Sequence, residues 1–226
     1  MIDTVLSSTP TTPSALQVLL AEDHEVVRQG LRMLLEAEPD IRVVGQAENG
    51  RQAVDLAKSL CPDVIVMDVS MPVLNGLQAA RQILRDCPES RIILLSAHAE
   101  SVYVEQAIGF GVMGYLLKQA SLEVLSKAIR EAHAGRLFLG PSVQRPHSGS
   151  QFEKQPALTV REAEVLQLVA EGRANKQIAS DLDISIKTVE KHRQHLMEKL
   201  AIHDTAGLTR YAVANGIIES GREKTF

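Results

Sequence analysis

The tightest constraint on what this chain can fold into is a strict alternation over its first 133 residues. Apolar runs of strand length take turns with longer segments in which apolar residues recur at helical spacing. "QVLLAE" (Gln17 to Glu22) is followed by "DHEVVRQGLRMLLEAEP", where Val26, Val27, Leu31, Leu34 and Leu35 keep a helical period and Pro39 follows the stop. The pattern repeats as "IRVVGQAE" and "GRQAVDLAKSLCP", "VIVMD" and "NGLQAARQILRDCP", "RIILLSA" and "ESVYVEQAIGFG", "VMGYLLK" and "SLEVLSKAIREAHAG". Ser121 is placed to cap the last helix and Gly135 to stop it. Strands such as "VIVMD" are apolar at every position, as a strand covered on both faces must be. Five of them alternating with five helices predict an α/β fold, a doubly wound parallel sheet with right-handed crossovers. The natural strand order is 2-1-3-4-5, the flavodoxin-like pattern.

After residue 133 the periodicity fails. "GRLFLGPSVQRPHSGSQFEKQP" reads as a linker with a short ordered start around Leu137 to Leu139. Beyond it the pattern is helical only, beginning with a T-x-x-E capping box at Thr159 and Glu162. The expected organisation is therefore a flexible extension (1–15), an α/β domain (16–133), a linker (134–157) and a small all-α domain of four helices (158–220). A chain of 226 residues has room for both domains. Cys61 and Cys87 do not make a disulfide framework and fit a reducing, cytoplasmic setting. No apolar run reaches the length of a membrane span, and "MIDTVLSSTPTTPS" lacks the basic and apolar regions of a secretory signal. A net charge of -4 argues against a wholly basic nucleic-acid coat but leaves room for a local basic helix.

In an open α/β sheet, ligands sit beyond the carboxyl ends of the strands. Those ends carry Glu22-Asp23, Asp68, Ser96 and Lys118. Three converging carboxylates repel one another, and a hard divalent cation such as Mg2+ relieves that. An aspartate beside such a cation and a lysine is placed to accept a phosphoryl group. The motifs "ED", "MDVSMP" with Gly76 following, "LLSA" and "GYLLK" make residues 16 to about 133 resemble the receiver domain of bacterial two-component response regulators. The resemblance implies a Mg2+ site made of Glu22, Asp23, Asp68 and the backbone carbonyl of Ser70, and phosphorylation at Asp68. It matches Ser96 and Lys118 to phosphoryl contacts, and Tyr115 to an aromatic that turns inward once the Ser96 loop moves. The acidic pair is often Asp-Asp in this family; here it is Glu-Asp. His24 and His98 flank the strand ends and are assigned no role.

The C-terminal segment "NKQIASDLDISIKTVEKHRQ" has helix-turn-helix character. Ile178, Ala179, Leu182, Ile184 and Val189 are spaced to lock two helices together, and Ser185 is placed to cap the second. That second helix is locally basic, and aromatics make up only 3% of the chain, which disfavours a base-stacking platform. "LTVREAEVLQLVAEGRANKQIASDLDISIKTVEKHRQHLMEKL" resembles the LuxR-type DNA-binding domain. Carried over, Asn175, Lys176, Ile178, Ala179 and Val189 belong to the helix-turn-helix unit. Lys187, Thr188, Glu190, Lys191, Arg193 and Gln194 face the major groove. The segment Thr205 to Asn215 matches the family's dimerisation helix; its plainer role is to complete the core.

Together the two resemblances imply a response regulator with LuxR-type output (the NarL/FixJ-like class). A sensor histidine kinase would phosphorylate Asp68, favouring a homodimer on double-stranded promoter DNA, with RNA polymerase as a further partner. Such a chain is a regulator, not an enzyme. An aspartate-nucleophile phosphatase would need a second acid where Ser70 stands. A quorum sensor would replace the acidic site with an apolar pocket. A phosphorylation-independent regulator would keep the fold with a decayed site, and nothing in these motifs is decayed.

Overall fold

The computed structural model describes residues 15–97, 101–143 and 158–218. The N-terminal extension, His98 and most of the linker lie outside them. The alternating half runs β1 (Leu16–Ala21), α1 (Glu25–Glu36), β2 (Ile41–Ala47), α2 (Gly50–Leu60), β3 (Val64–Asp68), α3 (Gly76–Asp86), β4 (Arg91–Ser96), α4 (Ser101–Phe110), β5 (Gly114–Leu117) and α5 (Leu122–His133). The strands form one parallel sheet in the order β2-β1-β3-β4-β5. One strand is added to the five expected. The two-residue β6 (Phe138–Leu139) pairs parallel with β5 at the edge, where the linker was expected to have a short ordered start around Leu137 to Leu139.

β3 shows why the sheet must be covered twice. All five of its residues are buried, and the strand's two-residue period sends them to opposite faces. Val64 and Val66 join the cluster holding Leu35 of α1 and Leu125 and Ile129 of α5. Ile65 and Met67 join the cluster holding Val54 of α2, Ile83 of α3 and Val104 of α4. Each such side chain stabilises the fold by about 1.5–3 kcal/mol on full burial. The caps are uneven. Asn49 and Asn75 accept from the backbone N–H groups of Gln52 and Gln78, which fixes the starts of α2 and α3. Ser121 occupies the N-cap of α5 but makes no side-chain cap bond there.

The C-terminal half consists of α6 (Val160–Ala170), α7 (Asn175–Asp181), α8 (Ile186–Leu200) and α9 (Thr205–Ala214) around a core that includes Leu166, Ile178, Val189, Leu196 and Leu208. Both halves of the Thr159–Glu162 capping box are formed, and Ser185 caps α8 through Thr188 N–H at 3.1 Å. Among the described residues no helix is long and apolar enough to cross a membrane.

Candidate functional site

Parallel pairing brings the ends of β1, β3, β4 and β5 to one edge. Asp68 lies one residue beyond Met67, the partner of Ala21, and pairs with Leu95. Ser96 pairs with Leu117, and Lys118 donates its backbone N–H to Ser96 O at 2.8 Å. Glu22, Asp68 and Ser96 are each at most 2% exposed. The Lys118 ammonium bridges the two buried acids, 2.8 Å from Glu22 Oε2 and 2.9 Å from Asp68 Oδ2. Its one well-formed hydrogen bond here goes to Glu22 Oε1 at 3.1 Å. Both Asp68 carboxylate oxygens and Glu22 Oε2 therefore stay buried without a hydrogen bond of good geometry. Buried anionic oxygens in that state are costly unless a cation completes them.

Electrostatics point the same way. Burial pushes the Asp68 carboxyl above the usual range; Lys118 opposes this, Glu22 adds to it, and the Ser70 backbone N–H lowers it slightly. Burial alone would lower the Lys118 ammonium, but its bonds and ion pairs with Glu22 and Asp68 outweigh that and hold it above its ordinary value. Asp23 sits at the rim. His24, assigned no role from sequence, places Nδ1 3.0 Å from Asp23 Oδ1 and 3.2 Å from Glu22 Oε1. One ligand atom each from Glu22, Asp23 and His24 lie within 4.8 Å of one another. The buried carboxylates of Glu22 and Asp68 beside this cluster, which share a single ammonium, fit a hard divalent cation with oxygen ligands.

Tyr115, matched from sequence to the aromatic switch, is 1% exposed and lies in the same buried cluster as Val104 and Ala107 of α4.

The loop after Asp68 is built under tight restraint. Gly76 N–H bonds Val69 O at 2.8 Å, and a Cβ on Gly76 would lie 2.1 Å from Asp68 O, so only glycine fits. Val73 has φ +69°, a left-handed conformation that is strained for a β-branched residue. It packs against the core of the C-terminal half.

Sequence reasoning missed what that loop holds. The Gln167 side chain of α6, 2% exposed, donates from Nε2 to Met71 O at 2.8 Å and accepts from Asn75 N–H at 2.7 Å. Asn75 Nδ2 donates to Ile217 O at 2.9 Å and Gly216 O at 3.2 Å, just beyond α9. Arg51 of α2 reaches Glu164 of α6 at 3.1 Å, where Arg161 also pairs. Gly216, at φ +64°, sits so close to the Tyr103 ring of α4 that a Cβ would clash. The two halves are thus clamped together by polar groups 92 or more positions apart in sequence.

The clamp leaves α8 facing outward. Lys187, Glu190, Lys191 and Gln194 are exposed along it, while Ile178, Ala179 and Val189 are buried in the core. Lys176 is exposed on α7. Thr188 lies 2.8 Å from the capping Ser185 hydroxyl. Arg193 lines an open cleft with Glu190 and Gln194 and donates to Asn175 Oδ1 and to Thr205 Oγ1, each at 2.8 Å. It ties α7 and α9 to α8.

Known proteins share both halves. Residues 18–130 match the family described as response regulator receiver domain, and residues 156–212 the one described as bacterial regulatory proteins, luxR family. The chain belongs to the two-component response regulators. This regulator is 39% identical over 209 residues to the transcriptional regulatory protein LiaR of Bacillus subtilis, covering 90% of this chain and 99% of LiaR. It is 35% identical over 207 residues to the response regulator protein VraR of Staphylococcus aureus, covering 90% and 99%. Among solved structures, RcsB of Salmonella typhimurium aligns over 89% of this chain and 99% of its own at 29% identity and a TM-score of 0.55. A structure of an RcsB–DNA complex aligns over the same shares at 28% identity and a TM-score of 0.53. The regulator therefore pairs a receiver domain with a LuxR-type DNA-binding domain, as transcriptional regulators do.

Proposed function

We propose that a sensor histidine kinase phosphorylates Asp68 and that this modification controls sequence-specific binding of promoter DNA. The observation that carries the reading is the Asp68 carboxylate at the end of β3, 1% exposed, with the Lys118 ammonium 2.9 Å from its Oδ2 and bridging it to the buried Glu22. In the transfer, an Asp68 oxygen forms a bond to phosphorus, and the bond from phosphorus to the donor's imidazole nitrogen breaks. The imidazole keeps the electron pair. Lys118 turns from the carboxylates to the new phosphoryl oxygens, and the Ser96 hydroxyl lies at the adjacent strand end to donate to them. Glu22, Asp23, Asp68 and the Ser70 carbonyl would hold Mg2+. A cation there offsets charge on the transferring group.

The consequence reaches the output domain through the loop. A phosphoryl group adds about two negative charges and several acceptor oxygens. The backbone that must adjust to it, Val69 to Gly76, is the one gripped by Gln167. Loosening that grip frees the DNA-binding domain. Two copies then place α8 in successive major grooves, and linkage between half-sites raises affinity. Lys187, Thr188, Glu190, Lys191 and Gln194 meet DNA, and Arg193 holds the unit together. Histidine kinase, promoter DNA and RNA polymerase are the partners this reading requires, in the cytoplasm.

The test is DNA affinity with and without phosphorylation, on an operator selected from genomic fragments and read by fluorescence anisotropy. Tighter binding by the phosphorylated chain is expected, with no change for Asp68→Asn under the same treatment. Equal affinity of the two forms would sink the proposal.

A further inference from the structure

Of the charged residues of α1, only Arg28 is buried, at 6% exposed. A guanidinium taken out of water is costly unless its donors find acceptors. Here they find two. Nη1 donates to the backbone oxygen of Glu22 at 2.7 Å, and Nη2 donates to Glu48 Oε1, in the turn between β2 and α2, at 3.0 Å. The Glu48 side chain is 64% exposed, so the buried end of the fork is the one on Glu22. That oxygen belongs to the peptide unit joining Glu22 to Asp23, the acidic pair at the end of β1. A peptide unit is planar, so holding its oxygen fixes the plane from which both carboxylate side chains leave the backbone. Glu22 is held elsewhere as well. Its N–H donates to Ala47 O at 3.0 Å, and its carboxylate meets Lys118 and the His24 N–H.

We propose that Arg28 is a positioning residue for the divalent cation: by gripping the Glu22–Asp23 peptide it keeps the two carboxylates together for one Mg2+, without itself binding the ion. This rests on the acidic pocket being the Mg2+ site, as proposed above. Mg2+ demands near-ideal oxygen geometry, so a small turn of that peptide costs affinity. Groups that only orient metal ligands typically change affinity about 10- to 100-fold when removed. Charge alone gives Arg28 no such role. A guanidinium bonded to the Glu22 backbone repels a second cation at the neighbouring carboxylates. Were charge all that mattered, removing it would tighten Mg2+ binding. Lysine is no substitute, because its ammonium is a point donor on a flexible stem, whereas the guanidinium reaches both acceptors from one rigid plane.

Calorimetric titration of the full chain with Mg2+ alone, beside circular dichroism to confirm folding, separates the roles. Arg28→Lys keeps the charge and loses the fork; Arg28→Gln loses both. The Mg2+ Kd should rise about tenfold or more in each. Glu48→Ala leaves Arg28 in place and removes only its outer partner, so it should show a smaller loss in the same direction and keeps the test open where an Arg28 variant folds poorly. A Kd unchanged in the Arg28 variants while the metal-free melting temperature falls would reduce Arg28 to a structural residue and overturn the proposal. So would tighter binding in Arg28→Gln with no change in Arg28→Lys, which is the signature of charge alone, or an unchanged Kd in Glu48→Ala when neither Arg28 variant folds. A wild type that binds no Mg2+ would overturn the reading of the pocket as well, whereas normal wild-type binding beside unaffected variants would remove only the role of Arg28.

Discussion

Replacing Gln167 with alanine isolates the link between the acidic pocket and the output domain. In the docked arrangement its amide satisfies two buried backbone groups of the receiver, Met71 C=O at 2.8 Å and Asn75 N–H at 2.7 Å. Alanine leaves both unsatisfied as long as the halves stay docked, and both are solvated once they part. Each orphaned group costs about 1–3 kcal/mol. Allowing for water entering the gap, docking weakens by about 2–4 kcal/mol, a shift of roughly 30- to 700-fold in the docked-to-free ratio. The helix itself does not suffer, because alanine is the better helix former. Hydrogen exchange followed by mass spectrometry on the full chain reads this directly. Peptides covering Val69 to Gly76 should exchange faster in the variant, and those from α8 should not. Gln177→Ala is the control, since Gln177 is exposed and accepts from the Ala174 N–H at the start of its own helix. Unchanged protection of the loop in Gln167→Ala would refute the idea that this side chain holds the two domains together.

Three further outcomes follow from the geometry. Lys118→Ala leaves Glu22 and Asp68 buried together without their shared cation, so the metal-free fold should lose about 3 kcal/mol, and Mg2+ should raise its melting temperature more than that of the wild type; equal responses would contradict the site. Gly76→Ala sets a methyl 2.1 Å from Asp68 O, so it should destabilise the receiver by about 1–3 kcal/mol and slow phosphorylation, and a variant matching wild type in both would show the loop to be soft. Burial pushes the Glu162 carboxyl up, but bonds from Lys199 and Thr159 outweigh it and leave it below its usual 4.5; the stability it adds is present above that pH and is lost as pH falls through the depressed value, so Glu162→Gln should flatten acid unfolding in that window, whereas an unchanged slope would exclude the pair.

Much of this was legible in the sequence because it is local. A strand buried on both faces must be apolar throughout, so β3 stood out, and Asp68 was conspicuous for ending it. Glu22, Ser96 and Lys118 were readable because a parallel sheet forces its strand ends together. The clamp was hidden for the opposite reason. Gln167 and Asn75 look like ordinary polar residues of a helix and a turn, and only folding brings them within 2.7 Å. β6 is too short to show a period; it exists because Phe138 N–H and Gly140 N–H find Met113 O and Tyr115 O. The orientation of Arg193 likewise depends on Asn175 and Thr205, which lie on two other helices. The burial of Tyr115 beside α4 is set by packing that strand periodicity does not reveal.

The central claim is that Asp68 accepts a phosphoryl group. Intact mass after incubation with acetyl phosphate and Mg2+, for the wild type beside Asp68→Asn, tests it most directly. A phosphoryl adduct on the wild type and none on the variant is the predicted result; an adduct of equal yield on both, or none on the wild type when Mg2+ binding is shown separately, would contradict it.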